Sequence, residues 1–82
     1  MPTVLEEDGF AIRIHLPPRE HWPPHVHVIR GHGEVVVWLG DGRAPPSVRE
    51  VYRMRDRDVV RAFRLVESHH DELLAAWRRY HG

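Results

Sequence analysis

The 82-residue chain contains no cysteine, no lysine, no asparagine and no glutamine. The missing cysteine excludes a disulfide framework and every zinc site that needs a thiolate. No apolar run approaches the ~18 residues of a membrane-spanning helix. Serine is scarce as well. Ser47 and Ser68 are the only two, and neither stands at a diagnostic spacing from a histidine and an acid. Phosphate-cradling glycine loops are missing, since Gly31-His32-Gly33 and Gly40-Asp41-Gly42 read more simply as hairpin turns. The chain opens Met1-Pro2-Thr3 and soon turns acidic at Glu6-Glu7-Asp8, unlike a secretory signal. The absent lysine and asparagine, with only three isoleucines, match the codon bias of a GC-rich genome. A heat-adapted host also avoids asparagine, glutamine and cysteine, but usually gains lysine. The sequence therefore predicts one soluble domain over residues 1–82, cytoplasmic and bacterial or archaeal. It names no reaction, and the reading leans away from an enzyme.

What is present is unevenly spread. Twelve basic residues, all arginine, balance twelve acids. Residues 1–42 hold three arginines against six acids, a net of −3. Residues 43–64 hold seven against three, a net of +4, and residues 65–82 two against three, a net of −1. Eight histidines add charge that mild acid could switch on. A chain this short has a thin core, so Phe10, Trp22, Trp38, Phe63, Trp77 and Tyr80 are its main large side chains. Without disulfides, oligomerisation or a partner is a natural source of further stability.

Period-two patterning dominates residues 3–54. Val4-Leu5 reads as a short edge strand, and Asp8-Gly9 as a hairpin turn. Phe10, Ile12, Ile14 and Leu16 alternate with Arg13 and His15, which predicts a half-buried strand stopped by Pro17-Pro18. Residues 17–24 are a proline-held loop carrying Trp22. His25–Arg30 and Glu34–Leu39 read as two more strands, the second apolar enough to be covered on both faces. Asp41-Gly42 supplies a further tight turn, and residues 47–54 read as a weaker strand or a loop.

From Asp56 the period changes. Val59, Phe63, Val66, His70, Leu73, Trp77 and Tyr80 recur at steps of four and three, one stripe of an amphipathic helix. Asp56 suits its N-cap, Asp58 its first turn, and Arg78 and Arg79 its C-terminal end. The predicted fold class is α+β: a hairpin-rich antiparallel sheet of four or five strands, packed by one long helix over about 56–80.

Two groups of residues are candidates for function. His21, His25, His27 and His32 crowd one stretch, with His15 on the neighbouring strand. His25 and His27, two apart on a strand, point to one side, a geometry that can ligate Zn²⁺ or Ni²⁺ with His15, His32 or Glu34 as third ligand. The plainer alternative is a polar sheet face whose histidines bond backbone or acids. Histidine-triad nucleotide hydrolases also alternate histidines, but Ile29 occupies the third position here and breaks that pattern.

The second group is Arg57, Arg61, Arg64 and Arg79, which fall opposite the apolar stripe on a helical wheel, with Arg49, Arg53 and Arg55 just before them; the plain reading is a solvated face. Arg57 and Arg61 are like charges one turn apart, a mildly destabilising arrangement. An acidic protein partner would relieve it, as would the chain's own acidic N-terminal third, within one copy or across a homodimer. Nucleic acid fits less well, because a pI near 7.1 is no basic footprint. Trp22, among prolines, is either an exposed interface anchor or a lid folded into the core.

Five stretches together carry a family resemblance. They are Met1-Pro2-Thr3-Val4-Leu5, Gly9-Phe10, Pro23-Pro24-His25-Val26-His27-Val28, Gly33-Glu34 with Trp38-Leu39, and Leu73-Leu74-Ala75-Ala76-Trp77. With Glu72 preceding the last of these, the chain resembles the bacterial domain of unknown function 4160 over nearly its whole length. The resemblance brings no activity. It implies a small stand-alone protein encoded beside a second small protein, in an arrangement like toxin–antitoxin pairs. The reading it favours is a partner-binding domain. The alternatives are a histidine-cluster metal protein or enzyme, with zinc or another transition metal as cofactor, and a nucleic-acid-binding regulator or ribonuclease-type toxin.

Overall fold

The computed structural model describes residues 2–17, 22–40 and 43–82. Five strands come first: β1 (Thr3–Glu7), β2 (Phe10–Arg13), β3 (His25–Arg30), β4 (Gly33–Trp38) and β5 (Ser47–Tyr52). Two helices follow, α1 (Asp56–Ser68) and α2 (His70–His81). The strands form one antiparallel meander in chain order, β1-β2-β3-β4-β5. The expected turn at Asp41-Gly42, and the part of the proline loop from Pro18 to His21, lie outside the described residues.

Short turns explain the meander. Asp8 and Gly9 both take positive φ, 54° and 81°, as a two-residue hairpin turn requires. Gly31, at φ 58°, opens the turn that returns β3 to β4, where Arg30 pairs with Gly33. Register then sorts side chains into two faces. Ile12 pairs with Val28, Val28 with Val35, and Val26 with Val37. All are buried, and with Phe10 they form the sheet side of the core. His27 and Val36 pair on the other face, and Val36 is buried too, so β4 is covered on both sides as its composition predicts.

β2 is shorter than its alternation implies. It ends at Arg13. Ile14 stays buried, with its N–H on the Pro2 carbonyl at 3.2 Å, whereas Leu16 is exposed. Residues 47–52, ambiguous in the sequence, are a full edge strand with a bulge opposite Val36 and Val37.

The single long helix is corrected to two. The helix turns at His69, whose backbone goes to φ −116° and ψ 22° while its N–H still bonds the Leu65 carbonyl and its carbonyl the Leu73 N–H. A straight helix over 56–80 would run about 37 Å, while six-residue strands span about 20 Å. Breaking the helix keeps both halves on the core. α1 contributes Ala62, Leu65 and Val66, and α2 contributes Leu73, Leu74, Ala76 and Trp77. Val59 and Phe63 are half-buried and Tyr80 is exposed, so the predicted stripe is buried most fully at its centre. The N-cap of α1 is Arg55, without a side-chain cap, and Asp56 stands inside the first turn. There it still meets the positive end of the helix dipole.

Candidate functional site

Three of the predicted histidines meet on the face of the sheet away from α1. His15, just past β2, stacks on His27 of β3, with ring centroids 3.8 Å apart and planes within 9°. His25 meets His27 edge-on at 5.4 Å. The Nδ1 of His27 donates to the Glu34 carboxylate at 2.7 Å. The Nδ1 of His25 donates to the Pro23 carbonyl at 2.9 Å, and both rings are buried. His32 sits in the β3–β4 turn, at the opposite end of the strand from His25. His21 lies outside the described residues.

Aromatic rings from α2 complete this cluster. Trp77 lies 4.9 Å from His25 and meets Trp22 edge-on at 6.2 Å. His81 stacks on Trp77 at 3.7 Å and donates from Nε2 to the His15 carbonyl at 2.8 Å. Trp38 closes the far side of His25 at 5.5 Å. His81 is the member that sequence reasoning missed. Its i, i+4 spacing from Trp77 places the two on one helix face, and that was the available signal. The rings meet by stacking, His15 on His27, and edge-on, His25 against His27. Among the described residues, no three histidine or acidic side chains are placed to hold a metal ion.

The arginines separate into two places. Arg49 projects on the histidine-bearing face, stacked over Trp38 at 4.9 Å and 3.2 Å from the Glu50 carboxylate. Tyr52 donates its hydroxyl to Glu50, and this hydrogen bond, with the Glu50 charge, holds the phenol above its ordinary pKa. Arg57, Arg61 and Arg64 stand on exposed positions of α1. Arg61 reaches Asp58 at 3.6 Å and lies over the Phe10 ring at 5.6 Å. Arg57 and Arg64 form no ion pair with any described residue. Arg53 forms the turn into α1 with φ 48°.

Trp22 is 53% exposed, which answers the core-or-surface question for that ring. It precedes β3, at the Trp38 end of the sheet. Arg53 follows β5 at the Glu34 end, by the pairing of Glu34 with Tyr52. Trp22 and Arg53 therefore belong to opposite ends of the sheet, and α1 runs between them, with Arg64 beside Pro46 and Ser47.

Two grooves flank α1. One, lined by Glu7, Asp8, Arg61, Arg64, Leu65 and Ser68, places the α1 arginines beside the acidic β1–β2 turn. The other, about 430 Å³, is lined by Pro46, Ser47, Val48, Val59, Val60, Phe63, Arg64 and Glu67. Its walls are mostly apolar, and Val48 and Val60 are exposed there.

A family model described as a domain of unknown function, DUF4160, matches residues 9–78. The chain belongs to the DUF4160 family. The match takes in β2 to β5, α1 and most of α2, and so includes His15, His25 and His27 with both groups of arginines. No curated protein and no solved structure matches the chain.

Proposed function

We propose that this DUF4160 protein is a protein-interaction domain, one component of a two-gene module of toxin–antitoxin type. Its contact with an acidic protein partner is the exposed crest of α1, carried by Arg57, Arg61 and Arg64. The observation behind this reading is the crest itself. Arg57 and Arg64 have no ion-pair partner among the described residues, and exposed Val60 lies on the same crest. Arginine gains most from a planar, paired acceptor, and a carboxylate-bearing partner supplies one. The gene arrangement implied by the family supplies the candidate, the product of the adjacent gene.

The test is co-expression with that product. Wild-type protein should retain the partner in a pull-down. Arg57→Glu combined with Arg61→Glu should lose it, while circular dichroism stays unchanged because both side chains are exposed. Unchanged retention by a folded double variant would refute the contact.

The meeting of His15, His25 and His27 favours a second reading, a transition-metal site. It is the weaker one, because the His15–His27 contact is face-to-face and His27 already spends Nδ1 on Glu34. A thermal shift on adding Zn²⁺ or Ni²⁺, abolished by His25→Ala with His27→Ala, would support it. No shift would remove it.

A further inference from the structure

The two edges of the sheet are built differently. β1 carries Glu6 and Glu7, with Asp8 next in the turn, all exposed. Two copies of β1 laid edge to edge would repel, a common protection of edge strands. β5 carries no such run of acids. Its sequence is Ser-Val-Arg-Glu-Val-Tyr, its one arginine and one glutamate cancel, and Val48, Val51 and Tyr52 are exposed. Among the described residues it pairs with β4 alone, so its outer row of backbone N–H and C=O groups faces outward.

β5 is also complementary to itself. Pair two copies antiparallel about an axis between Arg49 and Glu50. Arg49 then falls beside the partner's Glu50, Val48 beside the partner's Val51, and Ser47 beside the partner's Tyr52. Each charge meets its opposite and each valine meets a valine. The bulge opposite Val36 and Val37 sets Arg49 and Glu50 on one face and Val48 and Val51 on the other. The valine face is the one that carries α1. There the apolar groove of Val48, Val59, Val60 and Phe63 adjoins the first residues of the strand, Ser47 and Val48, so the partner's Val51, set beside Val48, would lie at its mouth.

We infer that this face is a two-fold homodimer interface, in which β5 pairs with β5 of a second copy and the partner's Val51 covers each apolar groove beside α1. The contact is isologous and closes at two copies. It goes beyond the heteromeric contact proposed above: the two share Val60 and Arg64 at the groove rim, while the strand edge belongs to the homodimer and Arg57 and Arg61 to the heteromeric contact.

Sedimentation equilibrium or light scattering of the full chain, over a range of concentrations, reads the mass directly. The expected mass is twice 9.7 kDa. Arg49→Glu makes the strand centre all acidic, and Glu50→Arg makes it all basic. Each variant alone should dimerise at least about tenfold more weakly, since two attractive cross-strand pairs become repulsive. Mixing the two variants should restore a dimer, and the exchange Arg49→Glu with Glu50→Arg in one chain should dimerise like wild type. A wild-type monomer at every concentration would overturn the interface, as would growth beyond two copies or folded single variants that dimerise unchanged. Arg57→Glu with Arg61→Glu should leave the mass unaltered, and the strand variants should still retain the heteromeric partner. Failure of one contact is thereby told apart from failure of the other.

Discussion

Trp77 ties one end of the molecule together. It is fully buried, stacks on His81, and touches His25 and Trp22. Trp77→Ala should cost about 3–5 kcal/mol, the range for a large aromatic lost from a core, read as the change in urea unfolding free energy. His81→Ala removes one stacked ring from the same place and should cost only about 1 kcal/mol. A Trp77 variant no less stable than the His81 variant would contradict this arrangement. Part of it was legible in the sequence. The i, i+2 spacing puts His25 and His27 on one face, with Glu34 among the candidates for a third ligand. The approach of His81 to His15 was not legible, because the contact spans 66 positions and depends on where α2 turns.

At the scale of elements, hairpins were readable and the helix break was not. Asp8-Gly9 and Gly31 state their turns in the residue types themselves. The stripe of steps of four and three runs through His70 without interruption, so periodicity alone gives one helix. The break follows from the size of the sheet beneath, a tertiary constraint that no local pattern carries. The turn before α1 has a similar origin. Arg53 takes a left-handed φ of 48°, and its carbonyl packs so close to Gly33 that a Cβ there would lie 2.6 Å from it. Gly33→Ala should therefore destabilise the fold by about 1–3 kcal/mol, as overpacking does. Gly31→Ala meets open space and only the strain of its positive φ, so it should cost about 1 kcal/mol. Thermal melts of the two variants give the order, and a Gly33 variant melting at or above the Gly31 variant would contradict the close packing.

For the whole molecule, the zero net charge conceals the useful feature. The sheet has an acidic edge at β1 and a self-neutral edge at β5, with an arginine crest on α1 between two grooves. The charge polarity was plain in the sequence as −3, +4 and −1 along the chain. Its division was not, because the β5 bulge turns Arg49 to the face opposite the α1 arginines. Screening by salt acts on exposed charges, so an acidic partner held by the crest should bind more weakly as ionic strength rises. Calorimetric titration of the full chain with the adjacent gene's product, at low and at physiological salt, is the most direct measurement. The expected result is saturable binding that weakens as salt is added and is lost in Arg57→Glu with Arg61→Glu. No binding at either salt, or binding indifferent to both salt and that variant, would contradict it.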